Sequence, residues 1–112
     1  MPAYLIARIE VRDPERYREY TLHTPRVLAA FGGRMVVRNG ARQVLEGTDD
    51  GRRIIVVEFP SFADVLRFHA SPEYTALRRM REAAAEAELI AIEGLPDDAW
   101  AASVAASSTL SL

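Results

Sequence analysis

The chain has 112 residues, 49% of them hydrophobic and 27% charged, which is ordinary for one globular domain and unlike disordered, collagen-like or membrane-embedded chains. Its 14 basic residues, all arginine, stand against 16 acidic ones for a net charge of −2, and no basic stripe of the kind a nucleic-acid binder needs is present. Lysine and cysteine are absent, which excludes Schiff-base lysines, thiol nucleophiles, disulfides and thiolate metal sites.

The first ten residues carry Arg8 and Glu10 in a short apolar stretch and do not read as a signal peptide; no run reaches the ~18 apolar residues of a membrane span, and a cytoplasmic address is expected. Tyr4 to Val11 alternates as a strand, with Leu5, Ala7, Ile9 and Val11 on a core face and Tyr4, Ile6, Arg8 and Glu10 on the other. Asp13-Pro14-Glu15 then starts a helix, through a capping carboxylate, a proline suited to the first helical position and an acid at the positive end of the dipole. Tyr17, Tyr20 or Thr21, Thr24, Val27, Leu28 and Phe31 follow at helical spacing, Pro25 is expected to kink or interrupt the helix, and Gly32-Gly33 ends it.

Arg34 to Arg38 reads as a second strand, with Met35 and Val37 facing one way and Arg34, Val36 and Arg38 the other. A short irregular strand is expected over Arg42 to Gly47, between an Asn39-Gly40 turn and a Thr48-Asp49-Asp50-Gly51 turn. The β-branched run Arg53 to Phe59 reads as a central strand, with Glu58 its one interior charge. Ser61 with Asp64 opens a helix carrying Phe62, Val65, Leu66 and Phe68, and Ser71-Pro72-Glu73 repeats that signal. A break near Ala70 and a long helix with Tyr74, Leu77, Met80 or Arg81, and Ala84 inward are therefore expected, followed by a last strand from Leu89 to Glu93.

Strand, helix, two strands, helix, strand is the βαββαβ order of the ferredoxin-like α+β fold, in which two helices cover one face of an antiparallel sheet. The uncovered face would carry Ile6, Val36, Ile54 and Val56, an apolar patch best buried by a second copy packing sheet against sheet. The domain is expected over residues 1–96. Residues 97–112 form a tail that is either loose or packed on the partner through Trp100, Val104, Leu110 and Leu112.

Several short segments carry a family resemblance in order along the chain: Ala3-Tyr4, Asp13-Pro14-Glu15 with Tyr17 and Tyr20, Gly32-Gly33, Val44-Leu45-Glu46-Gly47, Glu58-Phe59-Pro60-Ser61, Ser71-Pro72-Glu73-Tyr74 and Glu93-Gly94. Together they resemble the domain-of-unknown-function family 1330, a branch of the dimeric α/β-barrel superfamily. The resemblance implies a ferredoxin-like homodimer with a pocket between helices and sheet. Wider relatives include cofactor-free monooxygenases, muconolactone-type isomerases, polyketide cyclases, haem-degrading enzymes and stress-response proteins. Where the family shows an aromatic pair before Ser-Pro-Glu-Tyr, this chain has Phe68-His69, which implies a different pocket wall.

Among candidate chemical groups, His69 stands at a helix start and is able to exchange a proton near neutral pH; the alternative is a packed aromatic with a local hydrogen bond. Glu58, Arg8 and Arg38 project from otherwise apolar strands. They suit either a proton-moving carboxylate beside arginines that hold an anion, or an ion-pair network setting dimer register. Tyr17, Tyr20 and Tyr74 offer phenol donors to a ligand or serve as core aromatics. Asp13 and Ser71 are explained by helix capping. No ligand spacing for a metal is present and no cofactor is expected. The expected activity is cofactor-independent proton transfer or oxygenation on a small aromatic or carboxylated metabolite, with a non-catalytic ligand-binding or stress-associated dimer as the alternative.

Overall fold

A computed structural model describes residues 1–108 and Leu110. Four strands, β1 (Ala3–Val11), β2 (Arg34–Arg38), β3 (Arg53–Phe59) and β4 (Ala85–Glu93), form one antiparallel sheet in the order β2-β3-β1-β4. Helices α1 (Pro14–Ala30), α2 (Phe62–Ala70) and α3 (Pro72–Ala84) cover one face, giving the ferredoxin-like α+β fold; α4 (Asp97–Ala106) follows the last strand.

The helix starts follow from side-chain chemistry. Asp13 Oδ1 accepts from the Arg16 amide at 3.2 Å, Ser61 Oγ from Asp64 at 3.2 Å, and Ser71 Oγ from Tyr74 at 3.1 Å. Each bond satisfies an amide that the first helical turn leaves without a partner. Ser71 also closes α2, its amide donating to the Phe68 carbonyl, so one residue makes the break between two helices. Helix α1 runs through Pro25 without interruption, and Thr24 Oγ1 donates to the Tyr20 carbonyl one turn earlier. It ends when Gly32, at φ +80, turns the chain so that the Gly32 and Gly33 amides reach the Ala29 and Leu28 carbonyls. A Cβ on Gly33 would stand 2.9 Å from the Phe59 ring, so the glycine also lets β3 approach the helix end.

The core lies between the sheet and α1, α2 and α3. It is built from Ala3, Leu5, Ala7 and Ile9 of β1, Ile55, Val57 and Phe59 of β3, and Tyr17, Tyr20, Leu28, Val65, Phe68, Tyr74, Leu77 and Ala84 of the helices. Phe68 is the aromatic hub, 4.4 Å from the Tyr74 ring centre, 5.6 Å from Phe59 and 6.0 Å from Phe31. Phe62 and Leu66, placed on the same helix, stay exposed.

Elsewhere the structure corrects or extends the sequence reading. The segment 41–52 forms no strand; its turns are held by Arg42, which donates to the Arg52 carbonyl and pairs with Asp49 at 2.8 Å. Strand β4 starts at Ala85, four residues earlier than the apolar run suggests, because Ala85 to Glu88 pair with Val11 to Arg8 and sheet pairing overrides the helical preference of Ala and Glu. A bulge in β2 sets Met35 opposite Val57 but Val37 opposite Val56 and Arg38 opposite Ile55. Val37 therefore shares the uncovered face and Arg38 the helix-covered one, the reverse of strict alternation. Finally, residues 97–106 are helical, with Trp100 and Val104 exposed; Leu112, the last of the expected tail contacts, lies outside the described residues.

Candidate functional site

Between α1, α3 and the covered face of the sheet lies a cavity of about 80 Å³. Its floor is Leu5, Ala7, Ile9, Ile55, Val57 and Leu89. Ala7 sits between Ile55 and Leu89 in the sheet, and its single methyl group leaves the space that a larger residue in the middle of the row would fill. The roof comes from Tyr17, Tyr20, Thr24 and Leu28 of α1, Phe68 of α2, and Tyr74 and Arg81 of α3, while Arg38 and Arg53 close the side.

Polar groups converge in this largely apolar space. The Tyr20 and Tyr74 hydroxyls are 2.9 Å apart, and Arg81 Nη1 donates to Tyr74 Oη at 3.3 Å. The Arg53 guanidinium lies 5.7 Å from the centre of the Tyr17 ring, over its face. Burial pushes the Tyr20 hydroxyl well above the ordinary phenol range, with Tyr74 adding to the effect; burial also raises Tyr17, against the opposing charge of Arg53. Both phenols therefore stay protonated near neutral pH, and either hydroxyl of the Tyr20–Tyr74 pair can be the donor between them.

The charge balance is one-sided. Arg81 is only 6% exposed, yet among the described residues no carboxylate lies within 4.0 Å of the guanidinium of Arg38, Arg53 or Arg81. Glu82, Glu86 and Glu88, which share a neighbouring cleft with Arg81, are taken by Arg78 at 3.1 Å, Arg12 at 2.5 Å and Arg52 at 2.8 Å. Among the described residues the buried Nε atoms of Arg53 and Arg81 find no hydrogen-bond acceptor. Such an arrangement is costly in an apolar setting unless something negative or strongly polar completes it.

Of the residues singled out from sequence, Tyr17, Tyr20, Tyr74 and Arg38 are brought together around this cavity. His69 is not in its lining; the ring stands 5.7 Å from that of Tyr74, and burial, then the charges of Arg78 and Arg81, hold its pKa below the usual histidine value. Glu58 and Arg8 lie on the opposite face of the sheet. Glu58 is 3.6 Å from Arg34 and 3.5 Å from Tyr4 Oη, and Arg8 pairs with Asp50 and, at 4.0 Å, with Glu88. His69 and Glu58 thus share no site. Arg53 and Arg81 were not among the sequence candidates. The signal for Arg81 was its place at the inward spacing Tyr74, Leu77, Arg81, Ala84, an arginine where an apolar residue belongs. Among the described residues no group of three or more histidine or acidic side chains is placed to hold a metal ion, and no helix is long and apolar enough to cross a membrane.

The sequence matches, over residues 2–95, the family described as a domain of unknown function (DUF1330), and the chain belongs to that family. None of the curated proteins matches it. Among solved structures, a protein of unknown function from Rhodopseudomonas palustris, RPA0582, is similar at 22% identity and TM-score 0.69, over 85% of this chain and 83% of its own. SnoaB, a cofactor-independent oxygenase from Streptomyces nogalater, is similar at 16% identity and TM-score 0.62, over 85% and 94%. A dimeric ferredoxin-like protein of unknown function from Jannaschia sp. CCS1 gives 13% identity and TM-score 0.63, over 84% and 100%. At these identities the likeness is one of fold.

Proposed function

We propose that this protein works as a homodimeric, cofactor-independent enzyme, in the cytoplasm, on a small aromatic or carboxylated metabolite held in the cavity between α1, α3 and the sheet. The observation that carries this reading is the convergence of three phenols and a buried guanidinium on one small apolar space, the pattern of a site that orients a ligand with a few polar contacts. In proton transfer or oxygenation, negative charge grows on a substrate oxygen. The hydroxyl groups of Tyr20 and Tyr74, with Arg81 behind them, are suited to stabilise it. Arg38 and Tyr17 are assigned to binding, and His69, standing against Tyr74, to positioning. The oxygenase activity of SnoaB agrees with this class of chemistry.

Dimerisation through the uncovered face is supported by a row of β-branched residues across all four strands, Val37, Val56, Ile6 and Ile90, of which Val37 is 41% and Ile90 57% exposed in the single chain. Similar proteins from Jannaschia and Bacteroides fragilis are described as dimeric. Glu58 and Arg8, flanking the row, are assigned to the interface. The tail from residue 97 presents Trp100 and Val104 and is assigned to contact with the partner.

One observation favours a second reading. Among the described residues no imidazole or carboxylate lines the cavity, so they supply no general base at neutral pH, as suits a protein that binds the metabolite without transforming it. Native mass spectrometry of the purified chain, compared with the denatured one, tests the common ground. Twice the 12.5 kDa chain mass with an additional small ligand is expected. A bare monomer at micromolar concentration would sink both readings.

A further inference from the structure

We infer that the cavity is a site for a small carboxylate of about two or three carbons, whose charge is met by Arg81 and Arg53 and whose remaining polar atom is met by the Tyr20–Tyr74 hydroxyl pair. This rests on reading the cavity as a ligand site, and adds the ligand's charge and size. The volume decides the size. About 80 Å³ is roughly half the ~150 Å³ that receives a benzene ring, yet several times what one water needs. Of the two metabolite classes proposed above, this keeps the carboxylated one: a benzene-sized ring exceeds the cavity, whereas a ligand of about four or five non-hydrogen atoms does not.

The charge follows from what the walls lack. Arg81 is more than nine-tenths buried, its Nε–H is without an acceptor, and its one hydrogen bond goes to a phenol oxygen. Every acid in the adjoining cleft is already paired with another arginine. Arg53 repeats the pattern with a second buried, unpaired Nε. A guanidinium presents its N–H groups in a fork that matches the two oxygens of a carboxylate, so one small anion satisfies the orphaned donors and the excess charge together. A neutral ligand would satisfy only the first. The cavity shares Tyr17 and Arg53 with a surface cleft bounded by Glu10, Val11, Pro14, Arg18 and Gly51, which we take as its entrance; the Glu10 carboxylate there is more than 4.0 Å from the Arg53 guanidinium.

The test is titration of the full-length protein, at constant ionic strength, with acetate, propionate, benzoate and the neutral isostere propionamide. Binding is read by calorimetry and by the NMR signal of the Arg81 Nε–H. Propionate and acetate are expected to bind and to shift that signal, propionamide to bind at least about tenfold more weakly, and benzoate not to bind. In Arg81→Met, with its fold checked by circular dichroism, carboxylate and amide are expected to bind alike. Arg53→Gln, a change at a partly exposed position, is expected to narrow the preference and decides the matter if Arg81→Met does not fold. Propionamide matching propionate, or a preference unchanged in the decisive variant, overturns the charge assignment while the cavity reading stands. Benzoate binding with an Arg81 signal shift overturns the size assignment. No binding by any of the four overturns the ligand-site reading and this inference with it.

Discussion

The two faces of one sheet have been put to opposite uses. On the covered face charge is scarce: Arg81 is buried and Arg53 half-buried, each with an Nε short of an acceptor, and among the described residues no carboxylate lies within 4.0 Å of either guanidinium. On the uncovered face charge is plentiful and matched. Arg8 pairs with Asp50 and Glu88, Arg52 with both of the same acids, and Arg34 with Glu58, all around an apolar row. Asp50 and Glu88 are accordingly held below their usual carboxylate values, Asp50 first by the Arg52 amide and Glu88 first by the Arg52 side chain. A matched, solvent-washed network orients surfaces and sets register, whereas unmatched buried charge asks for a ligand. The same residue type, arginine, thus reads as recognition on one face and as alignment on the other, and only its surroundings separate the two.

The difference breaks most visibly in the core of the covered side. Phe68→Ala removes the ring that Phe31, Phe59 and Tyr74 pack around, and a loss of about 3–5 kcal/mol in urea unfolding is expected. A smaller loss would mean that the aromatic cluster collapses to fill the space. Next, Ile90→Asp places a charge in the apolar row of the uncovered face. Sedimentation is expected to show dimer dissociation about a hundredfold easier, about 2.7 kcal/mol, with the far-ultraviolet spectrum of the chain preserved. Unchanged assembly would take the interface off that face.

The smallest effect concerns His69, between the core and solvent. Its folded pKa is depressed, first by burial, so the unfolded chain binds the proton more readily. The associated stability is present above the unfolded value of about 6.5 and is lost as pH falls through the folded one. His69→Gln is expected to flatten the decline in unfolding free energy between about pH 7 and pH 5. A slope identical to that of the parent chain would show that other groups carry it.

Much of the fold was legible because local and long-range signals agree. Asp13, Ser61 and Ser71 mark helix starts whose caps are all made, and the alternation of β1 and β3 gives the same inward residues in sequence and structure. Where they disagree, pairing won. Ala85 to Glu88 favours a helix by composition and becomes strand because β1 offers it a full set of partners. The site was legible in part. Tyrosines at helical spacing announce themselves, but Glu58 and His69 look equally placed until the sheet separates them. Arg81 stands at an inward helical position in the sequence, but its want of an acidic partner shows only once the acids around it are seen to be engaged elsewhere.

The bulge in β2 has a genetic consequence. Because Val36 is the extra residue, loss of its single codon would restore strict alternation while leaving Val37 opposite Val56 on the uncovered face and Arg38 opposite Ile55 on the cavity side. The charge at the cavity wall is therefore set by the pairing of Arg38 with Ile55, and not by the number of residues that separate it from Arg34. In aligning relatives, a one-residue gap at Val36 is thus compatible with an unchanged cavity wall, provided that Met35 and Arg38 are retained.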